Sequence, residues 1–236
     1  MNSISNIKNI AIIPARGGSK RIPKKNIKEF LGKPIIAYSI EIALKSGLFD
    51  EVMVSTDDQK IAKIAVKYGA KVPFLRSSKT ANDFATIADV VDEVLQNYQD
   101  KNIVFDNVCC ILATAPFIKK NDLVVSYNKL IDNNFDSVFP VVRYSFPIQR
   151  AMQFEGKHIK MIAPENMTKR SQDLTPSFHD AGLFYWIKQD AFLKSKSMWT
   201  DNTSAIEISE QKAQDIDTPE DWQLAELKYK ILNEQK

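Results

Sequence analysis

The chain has 236 residues, 44% of them hydrophobic, enough to bury one sizeable core or one core with a small appended lobe. A formal net charge of +3 is too small for a general nucleic-acid coat, and no run of about 18 apolar residues is present to span a bilayer, so neither kind of partner is expected. Residues 1–8 are polar, unlike a charged flank followed by an apolar signal core, and the two cysteines, Cys109 and Cys110, lie side by side in an apolar run as buried thiols do; a reducing, cytoplasmic setting fits.

Residues 10–13 form an apolar run of strand length that reaches a turn at Pro14-Ala15-Arg16-Gly17-Gly18-Ser19. Pro34 suits the first turn of a helix running to about Lys45, with Ile35, Ile36, Ile40 and Leu44 on its apolar side and Gly47 ending it. A strand over 51–55 follows, and Thr56-Asp57-Asp58 caps a helix that carries Ile61, Ile64 and Ala65 to Gly69. A short strand over 72–75, a helix after Asp83 with Ile87, Val90, Val91 and Val94, a strongly apolar strand over 108–113, a helix over 122–131 and a strand over 137–142 continue the alternation. This order predicts one domain of α/β class, a three-layer and mostly parallel sheet with its ligand site at the carboxyl ends of the strands.

At about residue 146 the alternation stops. Residues 153–159 read as a hairpin around Gly156, followed by an irregular stretch, so about 146–180 is an inserted excursion from the sheet. Residues 182–187 return to the sheet, where 204–208 are expected to pair with them. Thr218-Pro219-Glu220-Asp221 then starts the last helix with a cap, a proline at the first helical position and an acid three residues after the cap.

The chemistry concentrates in the first turn. Between Arg16 and Lys28 six side chains are cationic and none is anionic, and two glycines let the backbone approach phosphate oxygens closely, which is the composition of a polyphosphate cradle. Neither a Walker loop nor Gly-x-Gly-x-x-Gly is present. Near the carboxyl terminus Asp215 and Asp217 are two apart, so in an extended segment both carboxylates share one side while Ile216 turns to the core; such a pair can hold Mg²⁺ or merely precede a capped helix.

Ile13-Pro14-Ala15-Arg16-Gly17-Gly18-Ser19-Lys20-Arg21-Ile22-Pro23-Lys24-Lys25-Asn26 resembles the amino-terminal signature of the CMP-nonulosonate (CMP-sialate) synthetases, and later segments resemble the pseudaminate branch of that family, the likeness spanning about residues 10–227. The resemblance implies a Rossmann-like fold of the nucleotide-diphospho-sugar transferase type and a CTP-dependent cytidylyltransferase that releases pyrophosphate, uses Mg²⁺, acts on a nonulosonic acid sugar and forms a homodimer through the excursion. Arg16 and Lys25 would then act on the phosphates, and Ala15, Gly17, Gly18, Ser19, Lys20, Asn26, Arg76, Asp83 and Thr86 would bind the nucleotide. Gln149, Arg150, Arg170, Gln172, Asp180 and Tyr185 are implied at the sugar, and the match of Asp215-Ile216-Asp217 to the family's acidic motif assigns Asp215 and Asp217 to the metal. Leu112-Ala113-Thr114 departs from the polar pattern of the sialate enzymes, which favours a less hydroxylated sugar. Phe184 and Trp186 read as sheet core, and His179 lacks the partners of a general base. Activation of legionaminic or sialic acid, or a nucleotide-binding module without turnover, are the rival readings. A glycosyltransferase would carry a mid-chain Asp-x-Asp, and none occurs there.

Overall fold

Strand β1 (Asn9–Pro14) sends Ala11 and Ile13 into one hydrophobic cluster and Ile10 and Ile12 into another on the opposite face, all four fully buried. A strand covered on both faces reads as a continuous apolar run, which is why 10–13 show no alternation. The computed structural model describes residues 8–234, so the polar stretch 1–7 lies outside the described residues. After β1 come a basic loop, a small hairpin of β2 (Glu29–Phe30) and β3 (Lys33–Pro34), then α1 (Ile35–Ser46), β4 (Glu51–Ser55), α2 (Gln59–Lys67), α3 (Ile87–Gln99), β5 (Asn107–Ile111), α4 (Lys120–Asp132) and β6 (Ser137–Arg143). The excursion holds a hairpin, β7 (Met152–Glu155) with β8 (His158–Met161), and the chain is back in the main sheet at β9 (Phe178–Asp180), a few residues before the expected return at 182, because β9 adds to the edge of β6. The chain ends with β10 (Phe184–Lys188), α5 (Gln189–Ser195), β11 (Thr203–Glu207) and α6 (Pro219–Glu234).

The main sheet runs β11-β6-β10-β5-β1-β4, with β9 added to β6. Strands β1, β4, β5, β6 and β11 share one direction, while β9 and β10 oppose it. Helices α1, α2 and α4 cover one face through Ile36, Ile40, Ile61, Ala65, Leu123 and Leu130. Helices α3 and α5 cover the other through Val91, Val94, Leu95 and Phe192. The three-layer α/β class follows, with Cys109 and Cys110 fully buried on opposite faces of β5. Trp186 and Phe184 are core residues as expected, Trp186 stacking on Phe49 at 5.0 Å. The chain leaves β1 for β4 on one side and later returns to β5 on the other, so the order reverses beside β1, and a crevice opens outside the carboxyl ends of β1 and β5.

Two expectations are corrected. Residues 72–75 form no strand; pairing there shrinks to a single bridge between Met53 and Lys71, because Pro73 has no N–H to donate to a ladder. Strand β11 pairs with β6 rather than β10, whose two edges are already taken by β5 and β6.

A third cluster explains how the chain's end reaches its beginning. Trp222 and Ala225 of α6 pack with Ile22, Phe30, Tyr38 and Ile216. Phe30 meets Tyr38, Trp222 and Tyr229 edge to face at 5.5, 5.6 and 5.6 Å, and the Lys28 ammonium lies 4.5 Å from the Trp222 ring. The helix start is capped as its sequence requires: Asp221 accepts the Thr218 N–H at 2.8 Å and the Thr218 hydroxyl accepts the Asp221 N–H at 3.2 Å.

Candidate active site

The loop after β1 is held from both sides. The Ala15 N–H continues the sheet's bonding to Ser55 O at 2.9 Å, and Asp57 Oδ1 accepts the Gly17 N–H at 2.9 Å. Asp58, the next residue, caps α2 by accepting from the Lys60 and Ile61 N–H groups at 2.6 and 3.1 Å, so the adjacent aspartates divide two tasks. A Cβ on Gly17 would sit 3.0 Å from both Asp58 Cβ and Oδ2, so any larger residue there would make Asp58 give way; one on Gly18 would meet only Arg16 Nη1, at 4.0 Å. Lys24, with φ of 54°, turns the chain into a short 3₁₀ segment, from which the buried Asn26 amide donates back to Arg16 O at 2.9 Å.

Pro14, Arg16, Ser19, Lys20, Arg21, Ile22, Lys25 and Asn26 line one side of a cavity of about 250 Å³. Arg76, Ala85, Thr86, Ile87 and Val90 line another side, and Leu112, Ala113 and Thr114 close the third at the end of β5. Arg76 is buried, yet its guanidinium is braced: Nε donates to Ser55 Oγ at 3.0 Å and Nη2 to Ser55 O at 2.6 Å. Burial lowers its pKa below the ordinary value, opposed by the nearby Asp57 and Glu93 charges. Thr86 caps α3 in a reciprocal arrangement with Asp89. Asp83, expected to bind the nucleotide, does not itself line the cavity; its two carboxylate oxygens each lie 2.5 Å from a cation that does, Arg16 Nη1 and Lys20 Nζ.

Docking of α6 brings the acidic segment to this loop. Lys25 Nζ donates to Ile216 O at 2.7 Å and to Asp217 Oδ1 at 3.1 Å, and Arg21 Nη2 lies 3.0 Å from Asp217 Oδ2. Ile216 is buried between the exposed Asp215 and the half-buried Asp217, the alternation of an extended segment. Among the described residues no group of three or more His, Cys, Asp or Glu side chains is arranged to hold a metal ion. The chemistry of the donors fits a hard divalent cation only if phosphate oxygens and waters supply the remaining positions, as Mg²⁺ commonly requires.

The residues assigned to the sugar divide into two groups, neither lining that cavity. Asp180 accepts from the Tyr185 hydroxyl at 2.7 Å and the Gly182 N–H at 2.8 Å. Burial raises the Tyr185 phenol, and the Asp180 hydrogen bond and charge add to the rise, with a smaller effect from Asp215. In the excursion, Gln149 Nε2 donates to Thr175 O at 2.8 Å, Arg150 contacts Lys169 O and Ser171 Oγ, and Arg170 pairs with Asp173 at 2.7 Å. Gln172 lines a separate groove of about 410 Å³ with Arg143, Tyr144, Phe146 and Thr175. His179 is exposed, with Nδ1 2.9 Å from Asp180 O.

Sequence reasoning missed Asp57, Ser55 and Arg21. Ser55 and Asp57 lie at the carboxyl end of β4, next to β1, and a general signal for them was available: side chains at such strand ends face the ligand crevice. Arg21 was legible only as one of several loop cations, because its partner Asp217 is distant in sequence.

The chain matches the family described as Cytidylyltransferase over residues 10–219. It is 44% identical to a pseudaminic acid cytidylyltransferase of Campylobacter jejuni, over 97% of this chain and 99% of that protein. It is 34% identical to a CMP-N,N'-diacetyllegionaminic acid synthase of Legionella pneumophila, over 92% of this chain and 94% of the relative. A solved structure of CMP:2-keto-3-deoxy-manno-octonic acid synthetase complexed with CTP shares the fold, with a TM-score of 0.70, 20% identity and coverage of 96% of this chain and 99% of that one.

Proposed function

The chain belongs to the cytidylyltransferase family, and from that premise we propose that it transfers CMP from CTP to pseudaminic acid and releases pyrophosphate. The observation that carries this reading is the cavity beside β1, where Arg16, Lys20, Lys25 and Arg76 converge on a space closed by the ends of β1 and β5. The 44% identical relative directs the choice of sugar.

In this reaction the hydroxyl oxygen on the sugar's anomeric carbon bonds to the α-phosphorus of CTP as the bond from that phosphorus to the bridging α–β oxygen breaks; the hydroxyl proton passes to solvent and the electron pair leaves with pyrophosphate. Arg16, Lys20 and Lys25, with Gly18 and Ser19 of the loop beside them, seat the phosphates and offset the charge that would repel the attacking oxygen, while the Ala15 and Gly17 N–H groups, expected at the phosphates, instead fix the loop through Ser55 O and Asp57 Oδ1. Asn26 keeps the loop in place through Arg16 O, and Arg76 and Thr86 face the nucleoside from the far side of the cavity. Asp215 and Asp217 would hold Mg²⁺, Asp217 giving up its pairing with Arg21 or Lys25 to do so, and the ion when bound would lower charge on the phosphates and polarise the attacking hydroxyl. Gln149, Arg150, Arg170 and Gln172 from the excursion and Asp180 and Tyr185 at the sheet would recognise the sugar, Arg170 exchanging Asp173 for the sugar carboxylate.

The proposal includes a homodimer. It is supported by Phe146 and Phe154, 82% and 80% exposed on the excursion. A cytoplasmic location follows from the need for CTP; no helix among the described residues is long and apolar enough to cross a membrane. Incubation with CTP, Mg²⁺ and pseudaminic acid tests the reading by mass spectrometry: a CMP-sugar adduct is expected, and CTP left intact would contradict it.

A further inference from the structure

The cations on the phosphate side of the cavity already carry an anion. Arg16 Nη1 and Lys20 Nζ each lie 2.5 Å from a different oxygen of Asp83, and both cations line the cavity. Asp83 belongs to a segment that reaches the cavity at Ala85 and Thr86. Bonds within the segment shape its turn: Asn82 Oδ1 accepts the Phe84 and Ala85 N–H groups at 2.8 and 3.0 Å. Its apolar side chain does not anchor it, because Phe84 is 92% exposed. The Asp83 carboxylate is itself 38% exposed, so the two ion pairs are of the weak, exchangeable kind.

A triphosphate seated on Arg16 and Lys20 needs the positions that Asp83 holds, and a carboxylate left in contact with phosphate oxygens would repel them. We propose that Asp83 is a built-in competitor for the triphosphate's cation seat: nucleotide binding displaces the carboxylate and moves the 82–85 segment, and its return to Arg16 and Lys20 competes with departing pyrophosphate. The proposal rests on the CTP reading above and adds to it a device for product release. It also defines what Asp83 discriminates, namely ligands that carry the two phosphates lost in the reaction.

The test is calorimetric titration of the full chain and of Asp83→Asn with CTP, pyrophosphate and CMP separately, at one concentration of salt and Mg²⁺. Asp83→Asn is expected to bind pyrophosphate and CTP about three- to tenfold more tightly, the gain from removing two weak competing pairs. CMP, which lacks the departing phosphates, is expected to bind both proteins about equally and so reports that the site is intact. Unchanged or weaker pyrophosphate binding with CMP binding preserved would overturn the proposal and leave the CTP reading standing. A drop for all three ligands would make Asp83 a structural support and overturn it too. Failure of the unaltered protein to bind any of the three would overturn the CTP reading and this proposal with it.

Discussion

Lys25 joins the two ends of the chain, and its removal should cost both stability and rate. Its ammonium, 21% exposed, donates to Ile216 O at 2.7 Å and to Asp217 Oδ1 at 3.1 Å. Hydrogen bonds from charged groups contribute about 1.5–3 kcal/mol each when shielded, and the 31% exposed Asp217 places that bond at the low end or below. A Lys25→Met substitution, which keeps the aliphatic length, should therefore lower stability by about 2–3 kcal/mol in urea denaturation. Loss of one charge-stabilising donor in the transition state should lower kcat for pyrophosphate release by about 10²–10³-fold. Combining Lys25→Met with Asp217→Asn should lose about 1 kcal/mol less stability than the sum of the single changes, because the two side chains share one bond. Additivity within about 0.3 kcal/mol, or a kcat within about twofold of the unaltered protein, would refute the link between the basic loop and the acidic segment.

Gly17→Ala should place a methyl group 3.0 Å from Asp58 Cβ and Oδ2, disturbing the α2 cap by about 1 kcal/mol and raising the KM for CTP; unchanged denaturation and kinetics would show that the loop yields freely. Trp222→Ala should cost about 3–5 kcal/mol in denaturation, since the ring is buried against Phe30 and anchors α6. Hydrogen bonds from the Thr218 N–H, then the Thr218 hydroxyl and the Asp217 N–H, hold the Asp221 carboxyl below its ordinary 3.8. Its contribution to stability is therefore complete above that value and is lost as pH falls through the lower folded value. Acid denaturation of Asp221→Asn should consequently show a flatter pH dependence below about 4 than the unaltered protein.

Much of the fold was legible because its signals are local. The unbroken apolar runs at β1 and β5 reported burial on both faces, and Thr218-Pro219-Glu220-Asp221 carried every element of a helix start. The pairing of β11 with β6 was not legible, since strand neighbours are chosen by packing across the whole sheet; nor was the failure of 72–75, where one proline outweighed the apolar pattern. At the site, the cationic loop stood out by composition, and the Asp215-Asp217 alternation by spacing. Their meeting through Lys25 and Arg21 depends on Trp222 and Ile216 docking against Phe30, a contact no local pattern encodes. Asp57 was hidden for another reason: three capping-type residues stood in a row, and only the fold decides that Asp58 caps while Asp57 holds Gly17.

The most direct measurement is kcat/KM for pyrophosphate release from CTP and Mg²⁺ with pseudaminic, legionaminic and N-acetylneuraminic acids offered separately, alongside an Asp215→Ala, Asp217→Ala double variant. The account predicts a preference for pseudaminic acid of at least about tenfold and loss of turnover in the double variant. Equal or better turnover of another sugar would contradict the assignment of substrate, and full activity in the double variant would contradict the role given to the acidic segment.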